Sequence, residues 1–204
     1  GSNKAIDSVI EQRLTQWMLI ELQEVYKDCL VWYNYLSLYP ESLSRTHFML
    51  LDDALTMQLF RAGEVALDTI ALVEKKGAIA HGRKDLNLTD ESHRQDMIEI
   101  VETASSSKLV GPIKSILEFD SWETFIKETK SFFQITNNDI EGGVKYFLQS
   151  TNKWICICAL YCNQKDAPSI FKENDVKNRI DEFIKDGNNY LSKAAQEIKN
   201  LLMT

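Results

Sequence analysis

Leu72-Val-Glu-Lys-Lys-Gly-Ala-Ile-Ala-His-Gly-Arg-Lys84 is the point where one long helical pattern ends and another begins a few residues later. Both flanks repeat apolar residues at three- and four-residue steps, and neither alternates apolar with polar, so the stretch predicts a junction between helices. His81, one of three histidines in the chain, sits here among Lys75, Lys76, Arg83 and Lys84. That concentration of positive charge stands in a chain of formal net charge -7.

Upstream, Ile6, Ile10, Leu14, Trp17, Val25, Cys29, Trp32 and Leu36 mark an apolar stripe over residues 4–38, ended by Pro40. Such a helix is about 50 Å long at about 1.5 Å per residue. A second pattern follows Ser42 and Ser44 and runs from Leu51 through Leu55, Leu59, Ala62 and Ala66 to Val73. The short connection predicts that the first two long helices lie antiparallel. Gly77 weakens the second pattern, and Gly82 fits the position just past a helix end.

Downstream, Thr89 with Asp90 and Glu91 reads as a capped helix start, because hydroxyl and carboxylate oxygens satisfy free N–H groups. That helix stops in Ser105-Ser-Ser107, Pro112 opens a short one, and Asp120 or Ser121 caps the next. Val144 to Cys162 is apolar nearly all round, the pattern of a central helix, and a final pattern runs from Val176 to Leu201. The fold class expected is all-α, a helical bundle of six or seven helices. Residues 3–105 would form an N-terminal bundle carrying the junction, and residues 106–204 a C-terminal helical part packed into the same globule.

Composition narrows the function. The 204 residues are 44% hydrophobic and 26% charged, which suits a folded core. Only 8 Gly and 3 Pro favour long elements over a many-stranded fold. The acidic balance argues against a general DNA-coating or anionic-membrane surface, so any anion site has to be local. Gly1-Ser2 reads as a remnant of expression, and no signal-peptide pattern is visible. Cys156, Cys158 and Cys162 crowd one apolar segment with Cys29 far away, which predicts reduced thiols and a cytoplasmic protein.

His81 carries the sharpest chemical reading. An imidazole exchanges protons near neutral pH. Lys76, five positions earlier, would lie about 140° round a helix from it. A cation there can hold a phosphate or stabilise charge developing on one. RNA cleavage without a metal needs little more, since the 2′-OH supplies the nucleophile. The plainer reading is a helix end whose cations complement its dipole.

The run Ile79-Ala80-His81-Gly82, preceded by Leu72-Val73-Glu74-Lys75-Lys76, resembles the signature of HEPN domains. The resemblance covers about residues 45–105. It implies a helical bundle that dimerises, brings two motifs into one cleft and, in active members, cuts RNA without a cofactor or metal. His81 would be the general acid/base and Lys76 the phosphate-binding cation, with Lys75, Arg83 and Lys84 attracting RNA. Lys76 stands where the family carries Arg, which keeps the charge but loses the planar fork, and Gly77 stands where it often carries Asn. A non-catalytic helical module, binding a protein partner or a second copy, is the other class of function that fits.

Lesser candidates are Asp90 with His93, better explained by capping, and Cys158 with Cys162, better explained as core thiols. Arg45 and His47 read as a solvated first turn. No Walker loop, nucleophile elbow or zinc-finger spacing is present.

Overall fold

Leu, Ala, Glu, Lys and Gln are common, Gly and Pro are few, and apolar residues recur at helical steps, so helix is the locally favoured state over most segments. A computed structural model describes residues 2–73, 77–82, 87–88, 90–104, 108–133, 143–166, 168–187 and 189–202. The protein is all-α: the described residues form nine α-helices and three 3₁₀ turns, and no strand is found among them. The helices are α1 (Ser2–Leu38), α2 (Thr46–Val73), α3 (Ala78–Gly82), α4 (Glu91–Ala104), α5 (Val110–Leu117), α6 (Trp122–Thr129), α7 (Lys153–Asp166), α8 (Asn174–Lys185) and α9 (Asn189–Leu202). Among the described residues no helix is long and apolar enough to cross a membrane.

Contacts divide the chain into two compact units. The first is Gly1–Cys29 with Met57–Ile135, the second Leu30–Thr56 with Thr136–Thr204. This line differs from a linear split at 105/106, because α1 and α2 each contribute residues to both units.

In the first unit α1 buries Met18, Leu22, Tyr26 and Cys29. The stripe expected from sequence lies partly on the other side, since Ile10 and Trp17 are 50% and 49% exposed. Both sides of α1 carry large apolar residues, so periodicity alone admits two solutions. The choice is made by what arrives late in the chain: Tyr26 packs 5.3 Å from Phe133 and 6.3 Å from Phe125, ring centre to ring centre. α5 approaches α2 closely at Gly63, where a Cβ would come within 2.9 Å of Ile116.

In the second unit Trp32 is fully buried and stacks on Tyr35 and Phe48. Its indole N–H donates to the Asp52 carboxylate. With Asp52 opposite Trp32 and Phe48 stacked on Tyr35, the end of α1 and the start of α2 run antiparallel within this unit. The turn between them is the 3₁₀ segment Pro40–Ser44, and neither serine caps α2: Ser44 Oγ donates to the Glu41 carbonyl.

The apolar run 144–162 is not one helix. It splits into the 3₁₀ segment Gly143–Gln149 and α7, because the Asn152 side chain accepts the Trp154 N–H and starts a new helix. Residues Ile155 to Leu160 of α7 are all buried, and α7 packs against Gly143–Gln149, the Pro168–Lys172 turn and α9. The last pattern also divides: Asp186 leaves α8 in an extended conformation (ψ 135°), and α9 begins at Asn189. The separate α3 and the division of the last pattern into α8 and α9 account for the difference from the six or seven helices expected.

All four cysteines are free and buried. Burial pushes the Cys156 and Cys158 thiols up to about 11. Their thiolate fraction at pH 8 is then about one in a thousand. Folded protein should react with a thiol reagent at least ~100-fold more slowly than protein in denaturant. The neutral thiol is favoured in the folded state, so these groups contribute stability below about pH 9 that is lost as pH rises towards 11. Urea midpoints measured from pH 7 to 11 should fall over that window. Asp52→Ala leaves the Trp32 N–H buried without this acceptor and should cost about 1–3 kcal/mol in the same assay.

Candidate functional site

The site is built on α3, a helix of five residues, Ala78–Gly82. Gly77 precedes it at φ 69°, a left-handed conformation that costs a residue with a Cβ about 1 kcal/mol or more. Its carbonyl accepts the His81 N–H at 3.0 Å, which fixes the backbone of the histidine. Gly82 does not occupy the left-handed position expected of a residue past a helix end. It is the last residue of α3, and its smallness serves packing instead: a Cβ there would come 2.5 Å from Ile100 Cδ1 on α4.

α3 therefore has an inner and an outer side. Ile79 is fully buried while Ala80 and His81 are exposed. The imidazole is open to solvent and so accessible to a substrate. Lys75, Lys76, Arg83 and Lys84, read as phosphate- or RNA-binding cations, lie outside the described residues, as does Thr89.

α4, against which α3 packs, is anchored at both ends of its first turns. Asp90 Oδ1 accepts the Ser92 N–H at 2.9 Å and the His93 N–H at 3.4 Å, the capping chemistry expected of it. Arg94 donates from Nη1 to the Leu88 carbonyl at 2.9 Å and from Nε to the Leu117 carbonyl at 2.9 Å. Its guanidinium also lies 5.5 Å from the centre of the Phe60 ring. The sequence offered no sign of this role, because the acceptors are backbone carbonyls, which no side-chain motif announces. His93 is half-buried, and its Nδ1 has no hydrogen-bond partner among the described residues.

His47 is not in a solvated first turn. Its ring is half-buried, 5.1 Å from Phe48, and lines a cleft in the second unit. Arg45 is exposed and lines a different opening of that unit. Cys158 and Cys162 are buried on α7, with Cys162 Sγ donating to the His47 carbonyl at 3.3 Å. Among the described residues no group of three His, Cys, Asp or Glu side chains is arranged to hold a metal ion.

Comparison with protein-family models, characterised proteins and solved structures finds no match to this chain.

Gly77→Ala meets no atom of the described residues within 4 Å, so its effect isolates the backbone conformation. It should lower stability by about 1 kcal/mol in chemical denaturation. Replacement by Asn, which tolerates the left-handed region, should recover part of that loss.

Proposed function

We propose that the chain is a HEPN-like helical protein that acts on RNA by acid/base chemistry without a metal. His81 is the general acid/base and Lys76 the phosphate-binding cation. Lys75, Arg83 and Lys84 add electrostatic attraction for the backbone of the nucleic acid. The reading includes a helical bundle that pairs with a second copy, so that two His81 side chains share one cleft, in a cytoplasmic protein. The observation that supports it is the exposure of His81 on a short helix whose Ile79 is fully buried. Packing holds the helix while the imidazole stays within reach of a substrate.

The test is cleavage of labelled single-stranded RNA in EDTA. His81→Ala should reduce the rate by about 10²–10⁴-fold, the usual contribution of a general acid/base. Lys76→Ala should weaken binding and flatten its salt dependence. Equal cleavage by wild type and His81→Ala, or none by wild type, removes the catalytic reading.

A second reading, a non-catalytic module that self-associates, is favoured by a separate observation. Val9, Ile10, Trp17 and Ile20 on α1 are 48%, 50%, 49% and 50% exposed. At 100° per residue they fall within an arc of about 100°, opposite the buried stripe of Met18 and Leu22. Exposed Arg13 falls inside the same arc, so this is a cluster of exposed apolar residues around one cation, and it is the interaction surface this reading uses. Light scattering across a concentration series should show association in wild type and its loss in Trp17→Asp. A monomer at every concentration would exclude this reading.

A further inference from the structure

We propose that the larger cleft of the second unit, the one Arg45 lines, binds a neutral oligosaccharide. It has a volume of about 1110 Å³ and is bordered by the end of α1, the 3₁₀ segments Pro40–Ser44 and Gly143–Gln149, and the end of α7. That lies just above the range of about 300–1,000 Å³ usual for small-molecule sites, which suits a chain of sugar rings better than a single one. The cleft shares no residue with the His81 reading and stands or falls without it.

Three carboxamides line this cleft, those of Asn34, Gln149 and Asn163. Asn163 is only 3% exposed, and its Nδ2 donates to the Ala159 carbonyl at 2.8 Å, one turn earlier on α7. That bond fixes the amide and leaves Oδ1, which solvent still reaches, without a hydrogen bond among the described residues. Asn34 is half-buried and Gln149 exposed, and neither side chain is hydrogen-bonded among the described residues. A carboxamide donates and accepts at once, as a sugar hydroxyl does, so each can meet a hydroxyl in either sense. Asn163 presents its free acceptor from a rigid, buried position, and a few such fixed polar groups are what orient a ligand in a cleft.

Tyrosine rings supply flat walls. Tyr35, Tyr39 and Tyr146 line the same cleft, and Tyr39, 49% exposed, lies 5.1 Å from Tyr35 between ring centres. The negative face of an aromatic ring attracts the weakly positive C–H groups that cover one side of a sugar ring. Charge on the lining is nearly balanced: Arg45 and Lys145 stand with Glu41, Glu173 and Asp175, an excess of one carboxylate among the described residues. That excess disfavours an anion. Lys145 is paired with both Glu173 and Asp175, whose side chains are 46% and 61% exposed, so the surplus charge lies in water and pulls weakly on a cation. The lining therefore matches a ligand that is neutral, hydroxylated and flat on one side.

The probes are the neutral trisaccharides maltotriose, cellotriose, mannotriose and triacetylchitotriose, each titrated into the full chain and followed by saturation-transfer NMR and by melting temperature. Saturable binding of at least one is expected, with a rise in melting temperature because the ligand binds the folded state. Gln149→Ala, at an exposed position, should weaken that binding about threefold, and Tyr39→Ala about tenfold. Asn163→Leu should abolish it in protein whose circular dichroism matches wild type. Raising the salt concentration should leave the affinity unchanged, since no charge is neutralised. The proposal is overturned if none of the sugars binds, or if Gln149→Ala and Tyr39→Ala both bind as tightly as wild type. It is overturned equally if tetramethylammonium or inorganic phosphate displaces the sugar and binds more tightly, which would assign the cleft to organic cations or to anions.

Discussion

A single guanidinium sets the geometry of the first unit. Arg94 on α4 donates to the carbonyl of Leu88, which precedes α4, and to that of Leu117, the last residue of α5. The final carbonyls of a helix have no partner within it, and a buried one left unpaired costs about as much as a lost hydrogen bond. Arg94 answers that need and, with the same planar group, lies over Phe60 of α2. Lysine could not replace it, since an ammonium lacks both the fork and the flat face. With the lead-in to α4 and the end of α5 held on one side chain, α4 becomes a fixed support. α3 packs on that support through Ile79 and Gly82, and the exposure of His81 follows.

The helical class and the starts of α4 and α6 were legible, because they depend on residues within one turn. Asp90 accepts from the Ser92 and His93 backbone N–H groups, and Ser121 Oγ accepts the Thr124 N–H. The two glycines of the junction were not legible in detail. In sequence Gly77 reads as a weakening of the helix and Gly82 as a residue past its end, but the first is needed for its left-handed backbone and the second for the closeness of Ile100. Only the second requirement depends on another helix, and no local pattern reports it. The buried side of α1 was ambiguous for the same reason. Leu22 and Ile10 are equally apolar, and Phe125 and Phe133 decide between them from more than 90 residues away.

In the second unit the hidden features were two breaks in the helical pattern. Asn152 ends the 3₁₀ segment and opens α7, so Trp154 falls in a first turn and stays half-exposed. Read as one continuous apolar helix, the same segment would have placed Trp154 in a core. The Asp186-Gly187 break has a parallel effect, starting α9 at Asn189 and bringing Tyr190 and Lys193 to the cleft that His47 lines. Each break is made by a polar side chain or an extended residue of little note by itself. Together they convert three apolar patterns into a lined concavity. The residues come from segments more than 100 positions apart, so no spacing in the sequence could have joined them.

Net charge and local charge act over different ranges. A net charge of -7 repels a polyanion at long range, yet at physiological ionic strength such fields are screened within about 8 Å. Along the sequence the junction carries Lys75, Lys76, Arg83 and Lys84 with Glu74 and Asp85 beside them, a local excess of positive charge that the proposed RNA binding would use. A polyanion brings a condensed counterion atmosphere, and its binding weakens steeply with salt in proportion to the phosphates neutralised.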